Sequence, residues 1–314
     1  MLILVAGATG NIGVHVVRSA LKRGHQVRAL ARSPEKLPKD LRNQVESFVK
    51  ISGPYDIPNL DIGCKGADAV ICTYGSDPAL MLDGQLALLR AAERAGIKRF
   101  HTASWNLVWD KMPLGVLESY DPVISFDRHA ALTSPIKPLN VFCGVLASTL
   151  FGVPGAGALE GGSAVWTHKD NGDRVINLIG EGDVLTPVAV EADVADFSVA
   201  LTTSDLAEKG GFYQFCSDEF TFQDLAATYE KVRGAECTIN TIMGVDACRQ
   251  AIAKARADAE ESGELHARWH KYIGLVYGLT FAEGTYNPKP VDASRFPDVP
   301  RTSLEKYIRE SPWV

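Results

Sequence analysis

The chain has 314 residues, 46% of them hydrophobic and 22% charged, with a net charge of −6. This describes an ordinary globular protein, either one large α/β unit or a core carrying an appended lobe. No apolar run approaches membrane-spanning length, and no basic run or basic–aromatic alternation suggests a nucleic-acid surface, so neither partner is expected. Cys64, Cys72, Cys143, Cys216, Cys237 and Cys248 show no paired metal-ligand spacing; they read as buried free thiols, with no metal. The expected partner is a small molecule. The first apolar stretch lacks a basic leader and is needed as a strand, so it is not read as a signal peptide, and the default compartment is the cytoplasm.

Leu2 to Ala6 predicts a strand that runs straight into Gly7-Ala8-Thr9-Gly10-Asn11-Ile12-Gly13. That is a dinucleotide-binding turn: Gly7 permits the sharp exit, Gly10 lets the backbone approach a pyrophosphate, and Gly13 lets the next helix pack on the sheet. The helix carries Ile12, Val16, Val17, Ala20 and Leu21 on one face, ends at Gly24, and points its positive end at the phosphates. A second strand is expected over Gln26 to Ala31, then a turn at Ser33-Pro34 and a poorly periodic polar segment. Ala69 to Tyr74 reads as a buried parallel strand, Leu80 to Ala95 as a helix closed by Gly96, and Ile97 to Ala103 as the next strand. The alternation predicts a Rossmann-type doubly wound parallel sheet with the cofactor at the strand carboxyl ends.

Asp121-Pro122 predicts a helix near 122–133, with Asp121 as N-cap and Pro122 in the first position. Leu139 to Val145 reads as another inner strand, and the Gly- and Pro-rich stretch Gly152 to Gly162 as a boundary. This divides the chain into a nucleotide-binding core, 1–151, and a smaller substrate-binding lobe, 152–314, from which segments return to the core. Val175 to Ile179 is strand-like, and Asp193 to Leu201 a helix crossing back. Thr221-Phe222-Gln223-Asp224 is a capping box opening a helix that ends at Gly234. Val245 to Gly278 reads as helical, with Trp269, Tyr272, Ile273 and Val276 packing it on the core or roofing a pocket.

An NAD-specific site would present an acidic residue about twenty positions past the glycines. Here the second strand ends Ala31-Arg32-Ser33, with Lys36 one turn on. A guanidinium and a second cation suit the 2′-phosphate of NADP(H).

The glycine spacing, Arg32 and the stretch Ile97-Lys98-Arg99-Phe100-His101-Thr102-Ala103-Ser104-Trp105-Asn106 resemble the NmrA-like and isoflavone-reductase-like branch of the atypical short-chain dehydrogenases, whose fifth strand commonly reads Val-Lys-Arg-Phe-Ile-Pro-Ser. A looser likeness continues through Lys137-Pro138-Leu139-Asn140-Val141. The resemblance implies an NADP(H)-dependent oxidoreductase of secondary metabolism that reduces a C=C or C=O bond in an apolar, oxygenated molecule of phenolic or polyketide-like type. It also implies a helical lysine upstream of the sixth strand, and residues 122–133 contain none. The candidates to replace it are His129, Arg128 and Tyr120, with His129 the better acid. By fold analogy Thr73, Tyr74 and Gly75 lie along the adenosine and ribose, Trp105 walls the nicotinamide, Ser104 stands beside it as a further catalytic candidate whose hydroxyl would bond a substrate oxygen, and Phe142 to Val145, including Cys143 and Gly144, lie along it. The missing lysine encourages another reading, a non-catalytic NADP(H) sensor that would bind a protein partner; a third is a non-redox isomerase or cyclase on the same fold that binds the cofactor only structurally, if at all.

Overall fold

The computed structural model describes residues 1–75, 77–156, 165–263 and 269–314, without the side chain of residue 269. The strands are β1 (Leu2–Ala6), β2 (Gln26–Ala31), β3 (Ser47–Lys50), β4 (Ala69–Cys72), β5 (Arg99–His101), β6 (Leu139–Phe142), β7 (Val145–Leu146), β8 (Trp166–His168), β9 (Arg174–Ile179), β10 (Thr186–Ala189), β11 (Gly211–Gln214), β12 (Asp218–Phe220) and β13 (Cys237–Met243). The helices are α1 (Asn11–Lys22), α2 (Lys39–Arg42), α3 (Ile57–Cys64), α4 (Gln85–Arg94), α5 (Asp121–Thr133), α6 (Ala147–Leu150), α7 (Glu191–Thr203), α8 (Phe222–Arg233), α9 (Val245–Glu261), α10 (Ile273–Glu283) and α11 (Leu304–Glu310).

Seven strands form one parallel sheet in the order β11-β6-β5-β4-β1-β2-β3. The order reverses at β1, which has β2 on one side and β4 on the other, and that reversal opens a crevice at the strand carboxyl ends. The central strands β1 and β4 are buried on both faces, as their continuous apolar sequences require. One face is covered by α1 and α7, which bring Val16, Val17 and Ala20 against Val194, Phe197 and Leu201; the other is covered by α3, α4 and α5. The expected doubly wound sheet is therefore present.

The remaining strands form two three-stranded sheets, β12-β10-β7 and β13-β9-β8. They enclose an aromatic core of Phe151, Trp166, Phe220, Phe222, Tyr229 and Phe281. The capping box is as read: Thr221 accepts from the Asp224 N–H at 3.1 Å, and Gly234 closes α8 with φ +68°. From beyond residue 152, α7 and β11 return to the large sheet.

Several expectations need correction. Asp121 is the first residue of α5, not its cap; its carboxylate accepts the Gly115 N–H at 2.9 Å instead. The fourth strand stops at Cys72. The stretch read as one strand over Leu139 to Val145 is two strands in different sheets, because Gly144 turns the chain with φ +77°. The polar segment after Ser33 holds an edge strand, β3, and a helix, α3. The helix expected over Val245 to Gly278 is α9 and α10, with residues 264–268 between them outside the described set. The boundary stretch Gly152 to Gly162 also lies partly outside it, from residue 157 onward.

Candidate active site

The first turn of α1 begins at Gly10, which supplies no side-chain cap, so its leading N–H groups are left to a ligand. Two glycines make that geometry attainable. Gly7 has φ +88°, and a Cβ there would sit 2.7 Å from the Thr73 carbonyl oxygen; a Cβ on Gly13 would sit 2.2 Å from the Gly7 carbonyl oxygen. Thr73 closes the other side, donating both its N–H (2.7 Å) and its hydroxyl (2.9 Å) to the Ala6 carbonyl. The cradle fits a pyrophosphate, and Thr9 completes the loop.

From this turn a cleft of about 460 Å³ runs along the strand ends. Gly10, Asn11 and Ile12 line its mouth, and Thr73, Tyr74 and Gly75 line one flank. Trp105, Asn106 and Leu107 form its floor with Gly144, Val145 and Leu146; Ser119 and Tyr120 line it, and Ile273, Tyr277 and Phe281 of α10 close it over. The roofing role read into the helix over 245–278 is therefore filled by α10, through Ile273 among the residues singled out, while Tyr272 and Val276 pack into the core beneath. None of the described lining residues is Asp, Glu, Lys, Arg or His. Polarity inside comes from hydroxyls and amides, which suits a neutral, oxygen-bearing ligand.

The floor is held by buried bonds. Gln85 accepts the Ala103 N–H at 2.9 Å and donates to the Met81 carbonyl at 2.7 Å, fastening the end of β5 to the π-helical turn at Leu80–Gly84. Trp105 donates its indole N–H to the Ser198 hydroxyl at 2.8 Å and stacks on His101 at 5.0 Å. Burial pushes the His101 imidazole down to about 4, so the ring stays neutral beneath the indole. Asn11 donates to the Ser148 hydroxyl at 2.9 Å, and Ser148 in turn donates to the buried Glu191 carboxyl at 2.5 Å.

Of the residues read as sites, Gly10, Asn11, Ile12, Thr73, Tyr74, Gly75, Trp105, Tyr120 and Gly144 line the cleft, and Gly7, Thr9 and Gly13 form the turn beneath it. Arg32, Ser33 and Lys36 follow β2 outside the cleft lining; Arg32 and Lys36 are exposed and make no ion pair with the described residues. Other candidates are placed elsewhere. Ser104 is fully buried, its hydroxyl accepting the Val141 N–H at 2.9 Å, so it fastens β5 to β6. Cys143 is buried behind Gly144, its N–H bonded to the Asn106 carbonyl at 2.9 Å.

His129 and Arg128 are exposed and absent from the described lining. Val123, Phe126 and Ala130 fix the inner face of α5, which turns positions 128 and 129 outward at 100° per residue. His129 lies instead 3.4 Å from the Arg90 guanidinium. An imidazole with no path to the cleft transfers no proton there, so His129→Ala is expected to leave steady-state NADPH oxidation within about twofold of wild type.

Tyr120 is brought to the site by the turn before α5. Its hydroxyl accepts the Leu107 N–H at 3.2 Å, and burial raises its pKa well above the ordinary phenol value. Its ring meets Tyr277 edge-on, with centroids 6.3 Å apart. Tyr277 and Ser119, whose hydroxyls are 2.9 Å apart, were missed as site residues in the sequence. Ser119 directly precedes Tyr120, and Tyr277 follows the apolar pair Ile273 and Val276 on the roofing helix; those neighbours were the available signal.

Sheet order, glycine turn and cleft define a Rossmann-type nucleotide-binding protein. A family model described as NAD(P)H-binding matches residues 7–125. Over 98% of its length the chain is 28% identical to an isoflavone reductase homolog of Zea mays, covering 96% of that protein, and 24% identical to a bifunctional pinoresinol-lariciresinol reductase of Linum usitatissimum, covering 97%. Its fold superposes on the leucoanthocyanidin reductase–NADPH complex of Vitis vinifera with a TM-score of 0.75, at 18% identity and 99% coverage of both chains. Over nearly its whole length the chain is similar to isoflavone-reductase-like proteins, and residues 7–125 match an NAD(P)H-binding domain, in keeping with the resemblance read from its sequence.

Proposed function

We propose that this protein is an NADPH-dependent reductase of a C=C or C=O bond in an apolar, oxygenated small molecule of phenolic or polyketide-like type, acting in secondary metabolism. The observation that carries the reading is the cleft itself: uncharged along its described lining, roofed by apolar and aromatic side chains, furnished with hydroxyls and joined directly to the glycine turn. The names of its relatives as reductases of phenolic compounds support the same class. The leading N–H groups of α1 would hold the pyrophosphate, Arg32, Ser33 and Lys36 the 2′-phosphate, and Thr73, Tyr74 and Gly75 the adenosine side. Trp105 and Gly144 would flank the nicotinamide, with Cys143 acting behind it through the backbone. A bound dihydronicotinamide supplies hydride to the substrate carbon.

The chain's own residues do the rest. The α10 roof excludes water from the chamber, and Trp105, pinned by Ser198 and His101, gives the flat wall against which a ring can be oriented. Tyr120 remains protonated and adds its hydroxyl to the polar groups that line the chamber. The sensor reading keeps one observation in its favour, the absence of lysine from α5 and from the described lining; a protein that binds NADPH but oxidises it with no ketone or enone would support it.

The test is a titration with NADPH and with NADH, followed by tryptophan quenching. Loss of a charge-assisted hydrogen bond worth roughly 1.5–3 kcal/mol should weaken NADPH binding by Arg32→Ala about 10–100-fold and leave NADH affinity unchanged. Equal affinity of the wild type for both nucleotides would remove the NADP preference. Failure to bind either would remove the reductase reading.

A further inference from the structure

A reduction needs a proton as well as a hydride, and in this cleft two phenols and a hydroxyl converge. Tyr277 reaches the cleft from α10, more than 150 residues along the chain from Ser119 and Tyr120. Its hydroxyl is 2.9 Å from the Ser119 hydroxyl and interacts with the hydroxyl of Tyr120. Tyr120 already accepts the Leu107 N–H, so its own proton is free to be donated to the Tyr277 oxygen. Either hydroxyl of the Ser119–Tyr277 pair can donate; with Ser119 in the donor role, the Tyr277 oxygen has two hydroxyl groups to support it and its own O–H is left for a third partner. Tyr277 lines the cleft, so a ligand bound there is placed to be that partner.

We infer that Tyr277 is the proton donor of the reduction, with Tyr120 and Ser119 holding the phenolate it leaves. This inference rests on the reductase reading. As the substrate carbon accepts a hydride from bound dihydronicotinamide, the C=O π pair moves to oxygen, and that oxygen takes the Tyr277 proton. In an enone the hydride adds to the β-carbon, and the enolate oxygen takes the same proton. The negative charge then rests on the Tyr277 oxygen, where two hydroxyl donors stabilise it in a dry site. Ser119 is half-buried rather than sealed, and passes a solvent proton back to Tyr277. Burial raises the Tyr277 pKa while the Ser119 and Tyr120 hydroxyls pull it down, which is the pattern of a group kept protonated at rest yet helped when it ionises.

The experiment compares Tyr277→Phe, Tyr120→Phe and Ser119→Ala with wild type. Each is given NADPH and an α,β-unsaturated aryl ketone, and both turnover and the Kd for NADPH and for the ketone in the NADP+ complex are measured. Loss of a positioned donor should lower kcat in Tyr277→Phe about 10²–10⁴-fold with NADPH affinity unchanged. Each of the two supporting variants should lower it about 10–100-fold, the worth of one hydrogen bond to a charged oxygen. A solvent deuterium isotope effect present in wild type should change in Ser119→Ala. If Tyr277→Phe keeps kcat within about threefold of an active wild type, the donor role is overturned and the reductase reading stands. If Tyr277→Phe does not fold, unchanged turnover in both Ser119→Ala and Tyr120→Phe overturns it equally. A wild type that binds NADPH and the ketone without turnover overturns the reductase reading and the donor with it.

Discussion

Gly13→Ala is expected to destabilise the protein by about 3 kcal/mol, at the upper end of overpacking costs, and to weaken NADPH binding roughly 100-fold. Two effects oppose each other. Position 13 lies inside α1, where alanine is favoured over glycine by about 1 kcal/mol, so helix propensity alone makes the substitution stabilising. Against this, the new Cβ would stand 2.2 Å from the Gly7 carbonyl oxygen and 2.8 Å from the Thr73 hydroxyl. The first of these atoms is backbone and cannot rotate away. Relief requires α1 to lift from the turn, which moves the N–H groups that would meet the pyrophosphate. Gly24→Ala is the control: with φ +79° and nothing within 4 Å, it should cost only the left-handed backbone penalty, about 1–2 kcal/mol, and leave cofactor affinity intact. Thermal unfolding and NADPH titration of both variants measure the contrast; Gly13→Ala behaving like Gly24→Ala would mean that close packing of α1 on the turn is not what holds the nucleotide.

The same turn shows why part of the fold is legible in sequence. Leu2 to Gly24 contains a strand, a turn and a helix whose determinants are all local: apolar run, positive-φ glycine, amphipathic repeat and closing glycine. The Thr221 capping box is local in the same way. By contrast β3 and β11 are four-residue edge strands, and their only reason to be extended is the ladder that β2 and β6 offer them. Gly144 is a mixed case. Its residues read as one strand because Leu139 to Val145 is continuously apolar; the break arises because Pro187, far along the chain, packs so close that a Cβ would sit 2.2 Å from its carbonyl oxygen.

The site divides along the same line. The cleft mouth was legible because glycine turns carry their own chemistry, and Tyr120 because it stands at a helix start. Ser104 reads as a hydroxyl at a strand end but is consumed by Val141, a pairing decided by where β6 docks. Tyr277 had no local signature. Its role depends on a helix from the last fifth of the chain folding over strand ends built from the first half.

That dependence makes the attachment of later segments to the first helix a determinant of both stability and site, and Asp196→Ala tests it with the largest expected loss at a single surface-distant contact. Arg23, at the end of α1, donates to the Asp196 carboxylate through Nε at 2.7 Å and Nη2 at 3.0 Å, and Ser19 donates to it at 2.6 Å. The side chains are 20% and 10% exposed, so removing the carboxylate strands a guanidinium and a hydroxyl in a largely dry seam between α1 and α7. Breaking such a pair costs about 3–5 kcal/mol, and the lower end applies because Arg23 keeps Asp298 at 2.8 Å. Burial alone would raise the Asp196 pKa, but the Arg23 and Ser19 hydrogen bonds outweigh it and hold the carboxyl below its ordinary 3.8. A carboxyl depressed in the folded state contributes its full stability above the unfolded value and loses it as pH falls through the folded one. The gap in unfolding free energy between wild type and Asp196→Ala should therefore be constant near neutrality and close only below about pH 4. Glu191 and Asp193, raised by burial at the start of α7, titrate in the opposite sense, weakening the fold as pH rises through their folded values. Because both variants carry them, they cancel in the difference, and urea unfolding of the two proteins between pH 3 and 7 isolates the Asp196 contribution; a gap that persists undiminished at the acid end would show that Asp196 acts by packing rather than by its charge.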